Sequence, residues 1–225
     1  RFGCRHMAAS VRFDEEQLQT CQEKKRLILD EEVLDFDYLL VASGCESRAT
    51  EHHADVLDLQ DFTTSPGSEL LAQFINNHNQ SDQSISVVGG GATGIQFLFE
   101  IKQFLSRTKS KTELRLIHSG EQVLEQFPGG FNAYVQSRMH DMNIDFYSNT
   151  YYRGQQSGKI LLTEKQTEKQ FELPSSMSIL FLGKKQQKLF SANAFGQILQ
   201  NKKALQNIFA AGDCSCYQSI GSNTL

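Results

Sequence analysis

The chain has 225 residues, a formal net charge of -4 at pH 7 and 39% apolar residues. This length is enough for one large domain or two small ones with a real hydrophobic core. The acidic balance and the short, scattered basic clusters argue against a protein that binds nucleic acid, and no apolar run reaches the roughly 18 residues of a membrane-spanning helix.

Cysteine usage indicates the compartment. The chain contains an odd number of cysteines, which are Cys4, Cys21, Cys45, Cys214 and Cys216. Such widely spread thiols suit a reduced, cytoplasmic protein better than one held together by disulfides. Cys214 and Cys216 form a C-x-C pair with no second pair and no histidine at ligand spacing, so we predict no metal site.

The first third of the chain predicts mostly short elements. Residues 1–36 carry the β-prone pieces "SVRF" and "RLILD", which predict a small antiparallel meander. The stretch "FDYLLVASG" predicts a buried strand from Tyr38 that ends at Ser43-Gly44. Residues 46–68 predict a loop, and "ELLAQFINN" predicts an amphipathic helix with Ser68 as its N-cap.

The middle of the chain alternates strands and helices. A strand, a glycine turn and a helix are predicted between residues 85 and 106, and the helix carries an apolar stripe formed by Ile95, Leu98, Ile101 and Leu105. "TELRLIH" predicts a second strand, "FNAYVQSRMHDM" a second helix and "IDFY" a third strand. This alternation predicts parallel βαβ units.

The last third returns to β-structure. After residue 150, the pieces "KILLTEK" and "QFELP" predict a β-meander, and "SMSILFLG" predicts one more buried strand. "QNIFAAGDCSCY" predicts a short apolar strand that ends at Gly212-Asp213.

The glycine turn after the first middle strand has the spacing G-x-G-x-x-G. In this motif the first glycine permits a tight turn, the second lets the backbone approach a pyrophosphate, and the third allows close packing of helix on strand. The start of the following helix attracts phosphate through its N–H groups. No lysine follows, as a nucleoside-triphosphate site would require. The motif predicts a dinucleotide site formed by Gly89, Gly90, Gly91, Ala92, Thr93 and Gly94.

Three stretches in this order, "FDYLLVASG", "ISVVGGGATGIQFLFE" and "NIFAAGDC", resemble the FAD-dependent pyridine nucleotide oxidoreductases, which have two dinucleotide-binding domains. The likeness is greatest to type II NADH dehydrogenases and apoptosis-inducing-factor-like oxidoreductases. The resemblance implies an α/β fold in which a Rossmann-like NAD(P)-binding domain, with a parallel sheet and a β-meander, occupies residues 49–183. It is inserted into a partial, discontinuous FAD-binding domain formed by residues 1–48 and 184–225.

The resemblance also implies an activity. The full-length protein would transfer a hydride from NADH or NADPH to FAD and pass electrons to an acceptor such as a quinone. No catalytic side chain is predicted, because the cofactors carry this chemistry. Two alternatives stay open, a non-catalytic NAD(H)-binding module and a regulatory derivative of the fold.

Several residues match family positions at the flavin. By resemblance, Asp213, after Gly212, would accept hydrogen bonds from the ribityl chain of FAD. Ser43 replaces the usual threonine before Gly44 and keeps a hydroxyl. Gly183 matches the glycine after the strand that returns toward the flavin, although a simple turn glycine is the alternative.

Two positions near the nicotinamide nucleotide depart from the family pattern. Gln96 stands where a glutamate is usual, and an amide can hydrogen-bond but cannot act as a base. His118 ends the second strand, where an acidic residue would bind the ribose of NADH and a nearby arginine would favour NADPH. Glu121 and Glu125 come a few residues later. A neutral imidazole can still bond to a hydroxyl, so we expect NADH rather than NADPH.

Two parts of the family are missing from this sequence. Residues 1–36 contain a single glycine, Gly3, so the glycine-rich motif that binds the ADP half of FAD is absent. The C-terminal interface domain of the family is absent as well. We therefore expect a central piece of a longer enzyme, whose other parts would supply any dimer contacts and any peripheral attachment to a membrane.

Overall fold

The computed structural model of the chain describes residues 3, 5–30, 32–45, 48, 55–63, 66–77, 83–185 and 190–217. The helices are α1 (Glu15–Lys24), α2 (Leu59–Thr63), α3 (Pro66–Asn77), α4 (Ala92–Arg107) and α5 (Gly129–Asp141). The strands are, in chain order, β1 (Arg26–Ile28), β2 (Val33–Asp35), β3 (Leu39–Val41), β4 (Val56–Asp58), β5 (Ser84–Val88), β6 (Glu113–Ile117), β7 (Asp145–Tyr147), β8 (Thr150–Gln156), β9 (Lys159–Glu164), β10 (Gln170–Pro174), β11 (Met177–Leu180), β12 (Phe190–Ala192), β13 (Gln197–Gln200), β14 (Lys203–Ala210) and β15 (Ser215–Tyr217).

The chain divides into two compact units. The first is formed by Arg1–Glu46 together with Gln186–Leu225, and the second by Ser47–Lys185. None of the helices in the described part of the chain combines the length and the apolar character needed to cross a bilayer. Cys4 lies outside the described residues, and the other cysteines are free thiols.

Helix α1 corrects the prediction for residues 1–36. Asp14 caps the helix by accepting a hydrogen bond from the backbone N–H of Gln17 at 2.9 Å, and two glutamates occupy the first turn, where the helix dipole favours them. Cys21 packs into the core of the first unit. The piece "SVRF" precedes this helix without forming a strand, so only the antiparallel pair β1 and β2 remains of the predicted meander.

The main sheet of the first unit has the order β15-β12-β13-β14-β3. Strand β3 runs parallel to β14, with Val41 opposite Ala210, which confirms the strand predicted before Ser43-Gly44. Its burial was predicted wrongly for one face. Val41 is 4% exposed, whereas Leu40 is 62% exposed, because successive side chains point to opposite faces and the core that includes α1 covers only the face of Val41.

The second unit is built on a five-stranded parallel sheet in the order β4-β11-β5-β6-β7. The βαβ prediction is therefore confirmed, and so is the apolar stripe of α4, whose members are all buried: Ile95, Leu98, Ile101 and Leu105. They pack against the sheet together with residues of α3 and α5. This arrangement confirms the predicted α/β fold.

The loop predicted for residues 46–68 is partly wrong. The described part contains β4, a fully buried edge strand, and the short helix α2. Asp58 stabilises the junction by accepting a hydrogen bond from the backbone N–H of Gln60 at 2.8 Å. Helix α3 begins at Pro66, a residue that suits the first helical position, so Ser68 lies inside the helix and is not its cap. Residues 46–47, 49–54 and 64–65 lie outside the described part.

The meander predicted after residue 150 is confirmed as the antiparallel sheet β10-β9-β8. Buried polar groups join it to the parallel sheet. The hydroxyl of Ser175 donates to that of Ser86 at 2.9 Å, and the Gln155 amide donates to the Ser175 carbonyl at 2.8 Å. Ser178 donates to the carbonyl oxygen of the same amide. The meander is thus held by a satisfied buried network rather than by apolar contact alone.

Candidate functional site

The predicted glycine turn lies at the carboxyl end of the parallel sheet. From β5 the chain proceeds to β6 and β7 on one side, whereas β11 and β4 lie on the other side. The connection order reverses between β5 and β11, and ligands of open α/β sheets bind at such a switch point. Gly89 follows β5 there, and Phe181 follows β11.

Gly89 and Gly94 are required by packing. Gly89 has φ +115°, and a Cβ on it would overlap the carbonyl oxygen of Phe181. A Cβ on Gly94 would overlap the carbonyl oxygen of Gly89. These two glycines therefore let strand, turn and helix approach each other, as their positions in the motif predict.

Gly91 is different, because its surroundings are open. It is the N-cap of α4, has φ -76° and lacks a side-chain cap; a Cβ on it would meet nothing within 4 Å. Ala92 and Thr93 follow it and are exposed. The first N–H groups of a helix have no partners within the helix, so they present donors and a partial positive charge to this space. The cradle fits a phosphate group.

His118 makes a hydrogen bond with the backbone of the glycine turn. It directly follows β6, and its Nδ1 accepts a hydrogen bond from the backbone N–H of Gly90 at 3.1 Å. Burial lowers the pKa of His118, although the nearby Glu125 carboxylate and a hydrogen bond with the Gln122 backbone act in the opposite direction. The ring is accordingly neutral at pH 7, and its proton is on Nε2 because Nδ1 is an acceptor.

The segment between β6 and α5 folds back onto the same turn. Leu124, at φ +56°, donates its N–H to the carbonyl oxygen of Gly90 at 2.9 Å. Val123 is fully buried, and its carbonyl accepts a hydrogen bond from the Asn132 side chain at 2.6 Å. These contacts cannot be predicted from the sequence, since no local pattern indicates a backbone hydrogen bond between positions so far apart.

Aromatic side chains flank the turn on the β11 side. The ring of Phe97 lies 4.8 Å from that of Phe181 and 4.8 Å from that of Phe62, measured between centroids. Gln96, the preceding residue on α4, is exposed. Gly183, with φ +80°, is also exposed, and its carbonyl accepts a hydrogen bond from the backbone N–H of Arg48 at 3.2 Å. Its conformation alone explains why this position is a glycine.

The first unit brings together the two segments predicted to contact flavin. The backbone N–H of Ala211 donates to the carbonyl of Val41 at 3.0 Å, which sets the strand ends side by side. The Cys45 thiol lies 3.8 Å from a carboxylate oxygen of Asp213. Ser43 and Asp213 are both exposed, so a hydroxyl and a carboxylate face solvent near the same strand ends.

The backbone conformation explains why the remaining positions of these segments, 44 and 212, are glycines. Gly44 has φ +68° and Gly212 has φ +73°, a region that glycine enters without strain. Cys214 is buried, and its thiol lies 3.5 Å from the carbonyl oxygen of Val41. Within the described residues, no group of three or more histidine, cysteine, aspartate or glutamate side chains is arranged to hold a metal ion.

Comparison with known proteins identifies relatives in sequence. The family described as pyridine nucleotide-disulphide oxidoreductase matches residues 4–224. A type II NADH:quinone oxidoreductase of Staphylococcus epidermidis is 26% identical, over 88% of this chain and 55% of the relative. Apoptosis-inducing factor homolog B of Dictyostelium discoideum is 27% identical, over 85% of this chain and 55% of the relative. The chain thus spans about half the length of the curated relatives it matches.

Solved structures share the fold. NDH2 from Plasmodium falciparum in complex with NADH superposes with a TM-score of 0.67 at 18% identity, covering 88% of this chain and 48% of that one. A chain of the covalent putidaredoxin reductase-putidaredoxin complex gives a TM-score of 0.61 at 19% identity, covering 88% of this chain and 49% of that one. These similarities confirm the Rossmann-like architecture predicted from the sequence.

Proposed function

Because the chain belongs to the pyridine nucleotide-disulphide oxidoreductase family, we propose that it is the nicotinamide-nucleotide-binding part, and a portion of the FAD-binding part, of an NAD(P)H oxidoreductase. Residues 49–183 bind NAD(P)H in this proposal, and residues 1–48 and 184–225 contribute to the FAD site. The observation that carries the proposal is the glycine turn, where a Cβ on Gly89, Gly90 or Gly94 would overlap neighbouring atoms, whereas Gly91 faces open space at the start of α4.

The residues at the turn have distinct roles in this proposal. The N–H groups around Gly91, Ala92 and Thr93 hold the pyrophosphate. Gln96 offers an amide donor and acceptor toward the nicotinamide end, beside the aromatic wall of Phe97 and Phe181. His118 stays neutral and keeps Gly90 in place.

In the first unit, Asp213 accepts hydrogen bonds from the ribityl hydroxyls of FAD, and the hydroxyl of Ser43 lies near the same strand ends. Gly44 and Gly212 supply the turns that expose these two groups. Gly183 comes after β11, the strand that the resemblance takes as returning toward the flavin.

When bound, the nicotinamide supplies a hydride and the flavin accepts it. The contribution of this chain is to bind and orient the two rings and to exclude water from them. Gln96 cannot take up a proton at neutral pH, so we assign no proton transfer to it. A quinone is the proposed electron acceptor, since relatives are named NADH:quinone oxidoreductases. The proposed location is the cytoplasm. Any peripheral membrane contact or dimerisation would involve other parts of a longer protein.

Nucleotide titration tests the proposal directly. NADH and NADPH are added separately to the folded chain while nicotinamide fluorescence is recorded, for the wild type and for Gly91→Val. Gly130→Val is the matched control, because a Cβ on Gly130 also meets nothing within 4 Å but lies in the first turn of α5. We expect saturable binding by the wild type and the control, and at least a roughly tenfold loss in Gly91→Val. Unchanged binding by Gly91→Val, or no binding by folded wild type, would overturn the proposal.

A second candidate is a non-catalytic NAD(H)-binding module. Gln96 favours it, because the usual carboxylate is replaced by a group that cannot titrate. To decide between the oxidoreductase and the module, the protein is incubated with FAD, free flavin is removed, and the visible absorbance of the protein is measured. Retained flavin that loses its absorbance on anaerobic addition of NADH supports the oxidoreductase, whereas NADH binding without any retained flavin supports the module.

A further inference from the structure

The segment after β6 carries two carboxylates, on Glu121 and Glu125. Neither stands at the end of the strand, where a dinucleotide-binding fold places the acidic residue that binds ribose. His118 occupies that position. A later residue can take over this role only if the folded chain brings its carboxylate close to the end of β6.

The backbone conformation before Glu125 brings this residue close to the end of β6. Leu124 adopts a left-handed conformation at φ +56°, which is uncommon for a residue with a side chain. Its N–H bonds to the carbonyl of Gly90 at 2.9 Å, and the neighbouring Val123 is fully buried. The turn is thus joined to the glycine motif by a backbone hydrogen bond, and Glu125 is the next residue along the chain.

The Glu125 carboxylate lies beside the His118 ring. A Cβ placed on Gly120 would overlap Oε1 of Glu125 and would lie 2.8 Å from Nε2 of His118. The carboxylate and the ring therefore border one small space over Gly120. A side chain at position 120 would fill that space, which explains the glycine there without any unusual backbone angle.

The His118 ring already makes a hydrogen bond within the chain. Its Nδ1 accepts a hydrogen bond from the backbone N–H of Gly90 at 3.1 Å. It is a neutral positioning residue for the turn. An exposed carboxylate next to it is better suited to accept hydrogen bonds from two adjacent hydroxyls, because an ionised carboxylate is an acceptor only.

From this geometry we infer that Glu125 binds the hydroxyls of the adenosine ribose and thereby makes the site prefer NADH to NADPH, an inference that rests on the nucleotide-binding function proposed above. A 2'-phosphate would bring a second negative charge close to the carboxylate, and like charges repel each other. The residue is supplied by the folded-back turn instead of by the strand end.

Lys165 is the opposing charge. The Lys165 charge lowers the pKa of His118, whereas the Glu125 charge raises it. A lysine at this place would attract a 2'-phosphate, so the nucleotide preference depends on which side chain lies nearer the ribose. The carboxylate is favoured because Glu125 borders the space over Gly120 together with the His118 ring.

The test uses ADP-ribose and 2'-phospho-ADP-ribose, which lack the nicotinamide and isolate the adenosine half of the ligand. Their dissociation constants are measured by calorimetry for wild type, Glu125→Gln, Glu121→Gln and Lys165→Gln, with thermal unfolding as the check of folding. Glu121→Gln is the matched control because it makes the same chemical change in the same exposed segment. We expect wild type to prefer ADP-ribose, and Glu125→Gln to reduce that preference by about tenfold. Glu121→Gln should change it by less than about twofold.

Two results would overturn the inference while leaving the proposed function intact. One is an equal effect of Glu125→Gln and Glu121→Gln. The other is a wild type that prefers 2'-phospho-ADP-ribose and loses this preference in Lys165→Gln. If folded wild type binds neither probe and neither NADH nor NADPH, the proposed function itself fails, and the inference fails with it.

Discussion

The carbonyl oxygen of Phe181 lies so close to Gly89 that a Cβ on Gly89 would overlap it, so the ends of β11 and β5 meet with no room for a side chain between them. This contact joins two segments that are far apart in the chain. It fixes the glycine turn on the sheet and leaves the open space of the motif at Gly91. The two kinds of glycine should therefore respond differently to substitution.

Alanine at Gly89 or Gly94 should destabilise the protein. Each new methyl group would overlap a backbone carbonyl, and Gly89 also has a left-handed conformation, so we expect losses of about 2 to 4 kcal/mol in the free energy of unfolding. Urea denaturation measures this loss. Gly91→Ala, which meets no atom within 4 Å, should stay within about 1 kcal/mol of wild type. Equal destabilisation by all three changes would show that the turn is packed differently.

Removal of the His118 ring should also lower stability. His118→Ala leaves the N–H of buried Gly90 without its acceptor, and a buried unsatisfied donor costs about 1 to 3 kcal/mol. His118→Asn keeps an acceptor near the position of Nδ1 and should recover most of the loss. If alanine and asparagine destabilise equally, the hydrogen bond to Gly90 is not what His118 contributes.

Stability should depend on pH through the same ring. Burial lowers the pKa of His118 in the folded chain, whereas the unfolded ring takes up a proton near its ordinary pKa of about 6.5. Between these two pKa values the unfolded state binds more protons, so stability decreases as pH falls below about 6.5. The stability advantage of wild type over His118→Ala should shrink from pH 7.5 to pH 5.5 in urea titrations. An advantage that does not change with pH would mean that the ring is not buried as a neutral group.

Most of the parallel sheet could be predicted because β5 and β6 are largely apolar and each is followed by a turn and a helix. Helix α1 could not be recognised in the same way, since Gln17 and Cys21 are its only buried residues among those described and its apolar stripe is correspondingly narrow. The available signal was Asp14 before two glutamates. Strand β4 has only three residues, and such a short run carries too little periodicity to be separated from a loop.

The candidate site shows the same division. The spacing of Gly89, Gly91 and Gly94 reveals the turn, because each glycine answers a local backbone requirement. The partners of the turn come from distant positions. Nothing near Phe181 in the sequence indicates its contact with Gly89, and the placement of Glu125 depends on a left-handed residue and a backbone bond that only the folded chain shows.

The carboxylate of Asp213 should be needed for flavin. Asp213→Ala removes the proposed acceptor for the ribityl hydroxyls, and we expect FAD added to the folded chain to bind roughly tenfold more weakly. Quenching of flavin fluorescence gives the dissociation constant. Cys45→Ala is the control, because it removes the thiol 3.8 Å from the same carboxylate and leaves the acceptor itself. Equal affinities of wild type and Asp213→Ala would contradict the assignment.

Amide hydrogen exchange with and without NADH tests the central claim most directly, because it reports where on the chain the nucleotide binds. The first amides of α4, at Ala92 and Thr93, have no partner within the helix and should exchange quickly in the free protein. We predict that NADH slows exchange in peptides that cover residues 89–97 and 118–125, and leaves the peptides of the meander β8–β10 unchanged. Protection confined to the meander, or no protection at the glycine turn while NADH is bound, would contradict the claim that this turn is the nucleotide site.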